Sequence, residues 1–160
     1  MIRYTNEIDL KLPLDKVIEL FDNPDNMKHW QPGLVSFEHV SGTAGEEGAV
    51  SKLVYLEGKR RIEMLETIIK RDLPYKFSGT YTAKGVYNRI DNRFEDLKEK
   101  GTRWTAENEF EFKGFMKLIG WLMPNAFKKQ SMKYMEMFKD FAENNKSVLK
   151  KDQEKTTGEG

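Results

Sequence analysis

The stretch GFMKLIGWLMPNAFKKQSMKYMEMFKDFAEN, residues 114–144, decides the fold. After Pro124, apolar or small residues recur at Phe127, Ser131, Tyr134 with Met135, Phe138, and Phe141 with Ala142. That is the spacing of one buried helical face. Lys128, Lys129, Lys133, Glu136, Asp140 and Glu143 fall largely on the other side, which predicts an amphipathic helix of about five turns. A helix so long and so apolar along one side needs a sheet to cover it.

Reading backwards, residues 102–112 carry the clearest strand pattern. Trp104, Ala106, Asn108, Phe110 and Phe112 point one way, while Arg103, Thr105, Glu107, Glu109 and Glu111 point the other. One face is wet and one meets the helix. Residues 2–10 alternate in the same way, with Ile2, Tyr4, Asn6, Ile8 and Leu10 opposed by Arg3, Thr5, Glu7 and Asp9. Pro13 then stands near a helix start, followed at helical spacing by Val17, Ile18, Leu20 and Phe21. Asn23-Pro24-Asp25 ends that helix and opens a second short one through Met27 and Trp30, which Gln31-Pro32-Gly33 stops. Strands follow at 34–40, 49–57, 60–70, 75–82 and 86–95. Their connections are short, at Gly58-Lys59, Asp72-Leu73-Pro74, Lys84-Gly85 and Glu99-Lys100-Gly101. Parallel neighbours would need long crossovers, so the strands form an antiparallel meander.

The length of 160 residues suits one domain. With no cysteine there is no disulfide, no Cys-ligated zinc and no thiol nucleophile. Two histidines, His29 and His39, argue against a His-rich metal site, and no metal or cofactor is expected. The formal net charge is +1, from 27 basic and 26 acidic residues, so the clustered positive charge of a nucleic-acid binder is not expected. The N-terminal MIRYTNEIDL lacks the plan of a signal peptide, and no apolar run reaches the roughly 20 residues of a membrane span. A cytoplasmic protein, monomeric or weakly dimeric, is the expectation.

The order of elements brings a resemblance with it. NPDNMKHWQPGLVSFE (23–38), the hairpin around Gly58, ETIIKRDLPYKFSG (66–79), and FEDLKEKGTRWTAENEFEFKG (94–114) before a C-terminal helix together resemble the START/SRPBCC superfamily of polyketide cyclase, lipid-transfer and plant-allergen-like proteins. The resemblance covers residues 1–144. It implies an α+β helix-grip fold: a seven-stranded antiparallel sheet curled around the long helix, two short helices between strands 1 and 2, and an apolar cavity between sheet and helix. The polar tail, 145–160, is expected to be disordered.

Two motif-like stretches are set aside. SGTAGEEG (41–48) places Glu46 and Glu47 where a phosphate cradle would need to be free of anions, and a strand follows it, so it is a hairpin turn. Asn145-Lys146-Ser147 matches a glycosylation acceptor without a secretory signal. His29 and Asp25 stand one helical turn apart, which suits a surface ion pair better than catalysis. Trp30 reads as a plug under the short helices.

The stronger candidates are polar residues on faces that otherwise read as interior. Ile62, Met64, Glu66 and Ile68 form the apolar phase of their strand, which carries the Glu66 carboxylate inward. Asn88 and Asn92 alternate with Val86, Ile90 and Phe94; Asn108 sits between Ala106 and Phe110; Tyr81 follows Phe77 and Gly79. The phase of the strand holding Tyr55 is not settled by its pattern. Buried polar groups need each other, water or a ligand. Tyr55, Glu66, Tyr81, Asn88, Asn92 and Asn108, with Phe110, Phe127 and Tyr134, are therefore the expected ligand contacts. Glu66 is the candidate for chemistry, since a dry carboxylate titrates high.

Residues 114–123 leave Lys117 nearly alone among Phe115, Met116, Leu118, Ile119, Trp121, Leu122 and Met123. An all-round apolar helix must be covered. Three readings compete: plain core, a subunit interface, or a gate with Phe115, Ile119, Trp121 and Leu122 that makes transient membrane or protein contact, with Lys113, Lys117, Lys128 and Lys129 nearby. Core or gate stands ahead of membrane docking, and Pro124 supplies a hinge. Binding or transport of an apolar small molecule or lipid is the leading function. The rivals are a polyketide cyclase or dehydratase acting through Glu66 or Tyr81, which leaves catalysis open, and a protein-interaction module.

Overall fold

The computed structural model describes residues 1–149; the expected disordered tail lies outside the described residues from Lys150 onward. The chain opens with β1 (Ile2–Leu10), α1 (Leu14–Phe21), a 3-10 turn at Pro24–Asn26 and α2 (Met27–Trp30). Six strands follow: β2 (Leu34–Ser41), β3 (Val50–Glu57), β4 (Arg60–Asp72), β5 (Lys76–Ala83), β6 (Val86–Asp96) and β7 (Thr102–Phe112). Two helices end the described chain, α3 (Met116–Leu122) and α4 (Pro124–Asn144).

The seven strands make one antiparallel sheet in the order β1-β7-β6-β5-β4-β3-β2. The chain leaves β1 at one edge, crosses through α1 and α2, and enters β2 at the other edge. Register shifts at Leu34/Ser36 and His39/Ser41 on β2 and at Ile68/Lys70 on β4 are bulges of the kind that bend a sheet. Curved antiparallel sheet and long C-terminal helix are the helix-grip architecture that the resemblance implied.

Residues of α4 that face the sheet are those at the 3–4 spacing. Phe138 is fully buried, with its ring 5.2 Å from Trp30, 5.4 Å from Trp104 and 6.1 Å from Phe21. Aromatic pairs at these separations and near-perpendicular angles stabilise beyond the area they bury. Polar anchors fix the helix to the β1 edge. The Tyr4 hydroxyl pairs with Ser131 Oγ and donates to Phe127 O at 3.1 Å, and Asn6 Nδ2 donates to Lys128 O at 3.1 Å. Burial pushes the Tyr4 phenol up to about 12. Asn145 ends α4 in the left-handed conformation, φ 52°, with its N–H on Phe141 O at 3.1 Å; asparagine tolerates that cap better than most residues. Just beyond it, Ser147 Oγ lies 2.9 Å from His29 Nδ1, and the His29 ring stacks on Phe141 at 5.4 Å.

The plain-core reading of residues 114–123 is corrected here. Only Gly120 of α3 is buried; Phe115, Leu118, Trp121, Leu122 and Met123 are exposed. A Cβ at Gly120 would stand 2.6 Å from the Phe112 ring, so glycine lets the helix lie flush on the end of β7 and its apolar side chains turn outward. Met123 breaks the helix (φ −131°, ψ 52°), and Pro124 starts α4 at its first position, where its missing N–H is harmless.

Candidate functional site

The concave face of the sheet and the facing side of α4 enclose a cavity of about 590 Å³. Its lining runs along β4 from Ile62 through Met64, Glu66 and Ile68 to Arg71. That is the inward phase read from the sequence, and Glu66 is only 7 % exposed.

Register explains how the polar groups meet. Ser51, Glu66, Tyr81, Asn88 and Phe110 are successive cross-strand partners from β3 to β7, so they form one row over the cavity floor. In a sheet such partners stand about 5 Å apart on one face. The Tyr81 phenol stands beside the Glu66 carboxyl as its cross-strand neighbour, close enough for each to affect the other's titration. Burial pushes the Glu66 carboxyl above its ordinary range, and the neighbouring Tyr81 hydroxyl partly opposes that rise. The Tyr81 phenol is pushed far up, first by burial and then by the neighbouring carboxylate. Gly79, two residues earlier on the same face, lies under this ring: a Cβ there would be in contact with the Tyr81 hydroxyl at 3.4 Å.

Beside this row the amides serve one another. Asn88 Nδ2 donates to Glu109 O at 3.1 Å and lies 3.4 Å from Asn108 Oδ1. Asn92 Oδ1 accepts the Trp104 indole N–H at 2.9 Å. Part of the buried polarity is thus satisfied within the protein, as a stable interior requires. The Trp30 indole N–H is the exception: among the described residues it is the buried side-chain polar atom with no partner, on a residue that lines the cavity.

At the far side from the asparagines, Tyr55 lines the cavity, which settles the phase of β3. Its hydroxyl donates to Gln31 Oε1, and burial pushes its phenol well up. Tyr134 faces it from α4, its phenol also raised by burial. Phe127 of α4 lies 5.1 Å from Phe110 and 5.0 Å from Phe112, closing the β7 side. The structure therefore brings Tyr55, Glu66, Tyr81, Asn88, Asn92, Asn108, Phe110, Phe127 and Tyr134 around one cavity. Phe115, Ile119, Trp121 and Leu122 lie outside its lining, on α3 and the residue before it, next to the β5–β6 turn, where a Cβ at Gly85 would touch Met116 at 3.1 Å.

Sequence reading missed Gln31 and Arg71. Gln31 lay in a Gln-Pro-Gly segment whose only legible signal was a helix stop. Arg71 sits just past the bulge at Ile68/Lys70, which shifts its phase, and it grips Asp22 of the α1 end through two hydrogen bonds of 2.7 and 2.6 Å. Asp22 raises the guanidinium further above its already high range. Among the described residues, no group of three His, Asp or Glu side chains is placed to hold a metal ion.

What this arrangement offers chemically is a mostly apolar chamber with a carboxyl–phenol pair on its floor. Its architecture is shared widely among solved structures. The chain is similar to Ara h 8.0201 (17 % identity, TM-score 0.71, covering 88 % of this chain and 96 % of that one). It is also similar to the Zhui aromatase/cyclase from a Streptomyces species (13 %, TM-score 0.71, covering 88 % and 93 %). A third is norcoclaurine synthase from Thalictrum flavum, solved with dopamine and hydroxybenzaldehyde (15 %, TM-score 0.66, covering 91 % and 88 %). At such identities the likeness is one of fold. No curated protein matches the sequence. The family model described as polyketide cyclase / dehydrase and lipid transport matches residues 1–143, nearly the whole folded chain, and the protein belongs to that family.

Proposed function

We propose that the protein binds an apolar small molecule or lipid in the cavity between sheet and α4, with the Glu66–Tyr81 pair fixing its orientation. The observation that carries this reading is the cavity itself. About 590 Å³ falls within the usual range for ligand sites, roughly 300–1,000 Å³, and its wall is apolar with a few convergent polar groups. Apolar contact supplies affinity at about 25 cal/mol per Å² of buried area, less the cost of ordering the ligand. The same family holds both carriers and cyclases, so the fold agrees with this reading without choosing the ligand.

Native mass spectrometry of protein purified without detergent tests it. The expected result is an apolar passenger at one per chain; protein that stays empty through purification and takes up no apolar compound contradicts it.

A second reading is favoured by the Glu66–Tyr81 pair. A carboxyl held protonated nearer neutrality can act as a general acid towards a bound carbonyl or hydroxyl, with the phenol positioned beside it. Under this reading Glu66→Gln abolishes turnover while leaving ligand affinity largely intact. Turnover that survives the substitution removes Glu66 from the chemistry.

A further inference from the structure

We propose that α3 and the start of α4 form a docking surface for an anionic lipid bilayer. The apolar side of this surface is made by Phe115, Leu118, Trp121, Leu122 and Met123, exposed to 74, 49, 77, 61 and 56 %. These are neighbouring residues of one short segment, in which Gly120 is the buried residue of α3 and lies against Phe112. An exposed contiguous apolar patch of this kind marks an interaction site.

Charge decides the partner. Between Glu111 and Glu136 there is no acidic residue, while Lys113, Lys117, Lys128, Lys129 and Lys133 all lie there and all are exposed. Lys84, beside the Gly85 turn that packs on Met116, adds to the same corner. The whole chain carries only +1, so this excess is local. A symmetric contact between two copies through the patch would set these lysines against each other, which disfavours a dimer. An anionic bilayer meets both features at once, with apolar side chains in the acyl boundary and ammonium groups at the headgroups. Trp121 suits that boundary, where indoles concentrate. α3 is about 10 Å long, enough to dip into one leaflet at 1.5 Å per residue. No described helix is long and apolar enough to cross a membrane.

The surface also adjoins the cavity. Phe127, on the first turn of α4 beyond the Met123 break, lines it. Docking stands whatever occupies the cavity, and its test needs no ligand.

Trp121 supplies the signal. The other two tryptophans, Trp30 and Trp104, are buried, so a blue shift of emission on lipid reports Trp121. The full chain is mixed with vesicles of phosphatidylcholine containing about one third phosphatidylserine, and with phosphatidylcholine alone. The expected result is flotation with the anionic vesicles together with the blue shift, neither of them on neutral ones, and release at about 1 M salt, where screening shortens to about 3 Å. Lys117→Glu with Lys128→Glu weakens partition by at least about fivefold per lysine replaced. Trp121→Ser with Leu122→Ser abolishes it without loss of folded structure. Absence of flotation on anionic vesicles, equal binding to neutral ones, or a solution dimer that Trp121→Ser splits would overturn the proposal.

Discussion

Glu66 and Tyr81 are direct cross-strand partners on β4 and β5, and the neighbouring phenol partly offsets the desolvation that burial imposes on the carboxylate. Neither residue can be understood alone. The carboxyl is held inward by the alternation of Ile62, Met64 and Ile68, and the phenol meets it because strand register sets Tyr81 opposite Glu66.

A raised carboxyl makes stability depend on pH with a definite sign. Between the ordinary Glu value of 4.5 and the higher folded value, the folded state holds a proton that the unfolded state has lost. Stability from this group is therefore full below 4.5 and is lost as pH rises through the folded value. The steepest contribution of one proton is about 1.4 kcal/mol per pH unit. Glu66→Gln should flatten the decline of melting temperature across that window and raise it at neutral pH. A variant whose pH profile matches the wild type above 4.5 would show Glu66 to be solvated.

Tyr81→Phe removes the donor and keeps the ring. The Glu66 carboxyl should then titrate higher still, and the protein should lose about 1–3 kcal/mol at neutral pH, the cost of an unmet buried polar group. Carboxyl chemical shifts followed by NMR through a pH titration measure the first effect, and denaturant unfolding measures the second. An unchanged Glu66 titration would break the link between the two residues.

The Asn92–Trp104 hydrogen bond, 2.9 Å long and buried, makes a separate prediction. Asn92→Leu leaves the indole N–H without its acceptor beneath Phe138, and should cost about 1–3 kcal/mol while changing Trp104 emission. Thermal unfolding with fluorescence detection reads both.

Gly120 is a packing test. Gly120→Val should force α3 off the Phe112 ring, because its Cβ alone would approach to 2.6 Å. Overpacking of this kind costs about 1–3 kcal/mol. The equivalent change at Leu118, which is half exposed, should be nearly silent.

The fold was legible because its pattern is physical. Strict alternation in Ile2–Leu10 and Thr102–Phe112 and the 3–4 spacing from Phe127 to Ala142 have few other interpretations. Inward polar residues were legible by the same alternation, and it carried Glu66, Asn88, Asn92 and Asn108 to the cavity wall. Arg71 was hidden because a bulge at Ile68/Lys70 shifts the phase beyond it, and alternation has no memory of a bulge. Gln31 was hidden because a turn leaves no periodic trace. Residues 114–123 misled for a different reason. Hydrophobicity says that a segment tends to be covered, and it does not say by what; α3 lies with Gly120 against Phe112 and most of its apolar side chains exposed.

The central claim is that the cavity is where an apolar molecule binds. Ile90 faces it, with Gly79 and Asn108 as cross-strand partners, so Ile90→Trp fills the hollow from its floor. Titration of an apolar fluorophore into wild type and this variant, with circular dichroism to show that both are folded, measures the claim directly. The account predicts saturable binding at one site per chain in the wild type and at least about a tenfold loss, some 1.4 kcal/mol, in the variant. Equal binding by both folded proteins would place the molecule elsewhere and contradict it.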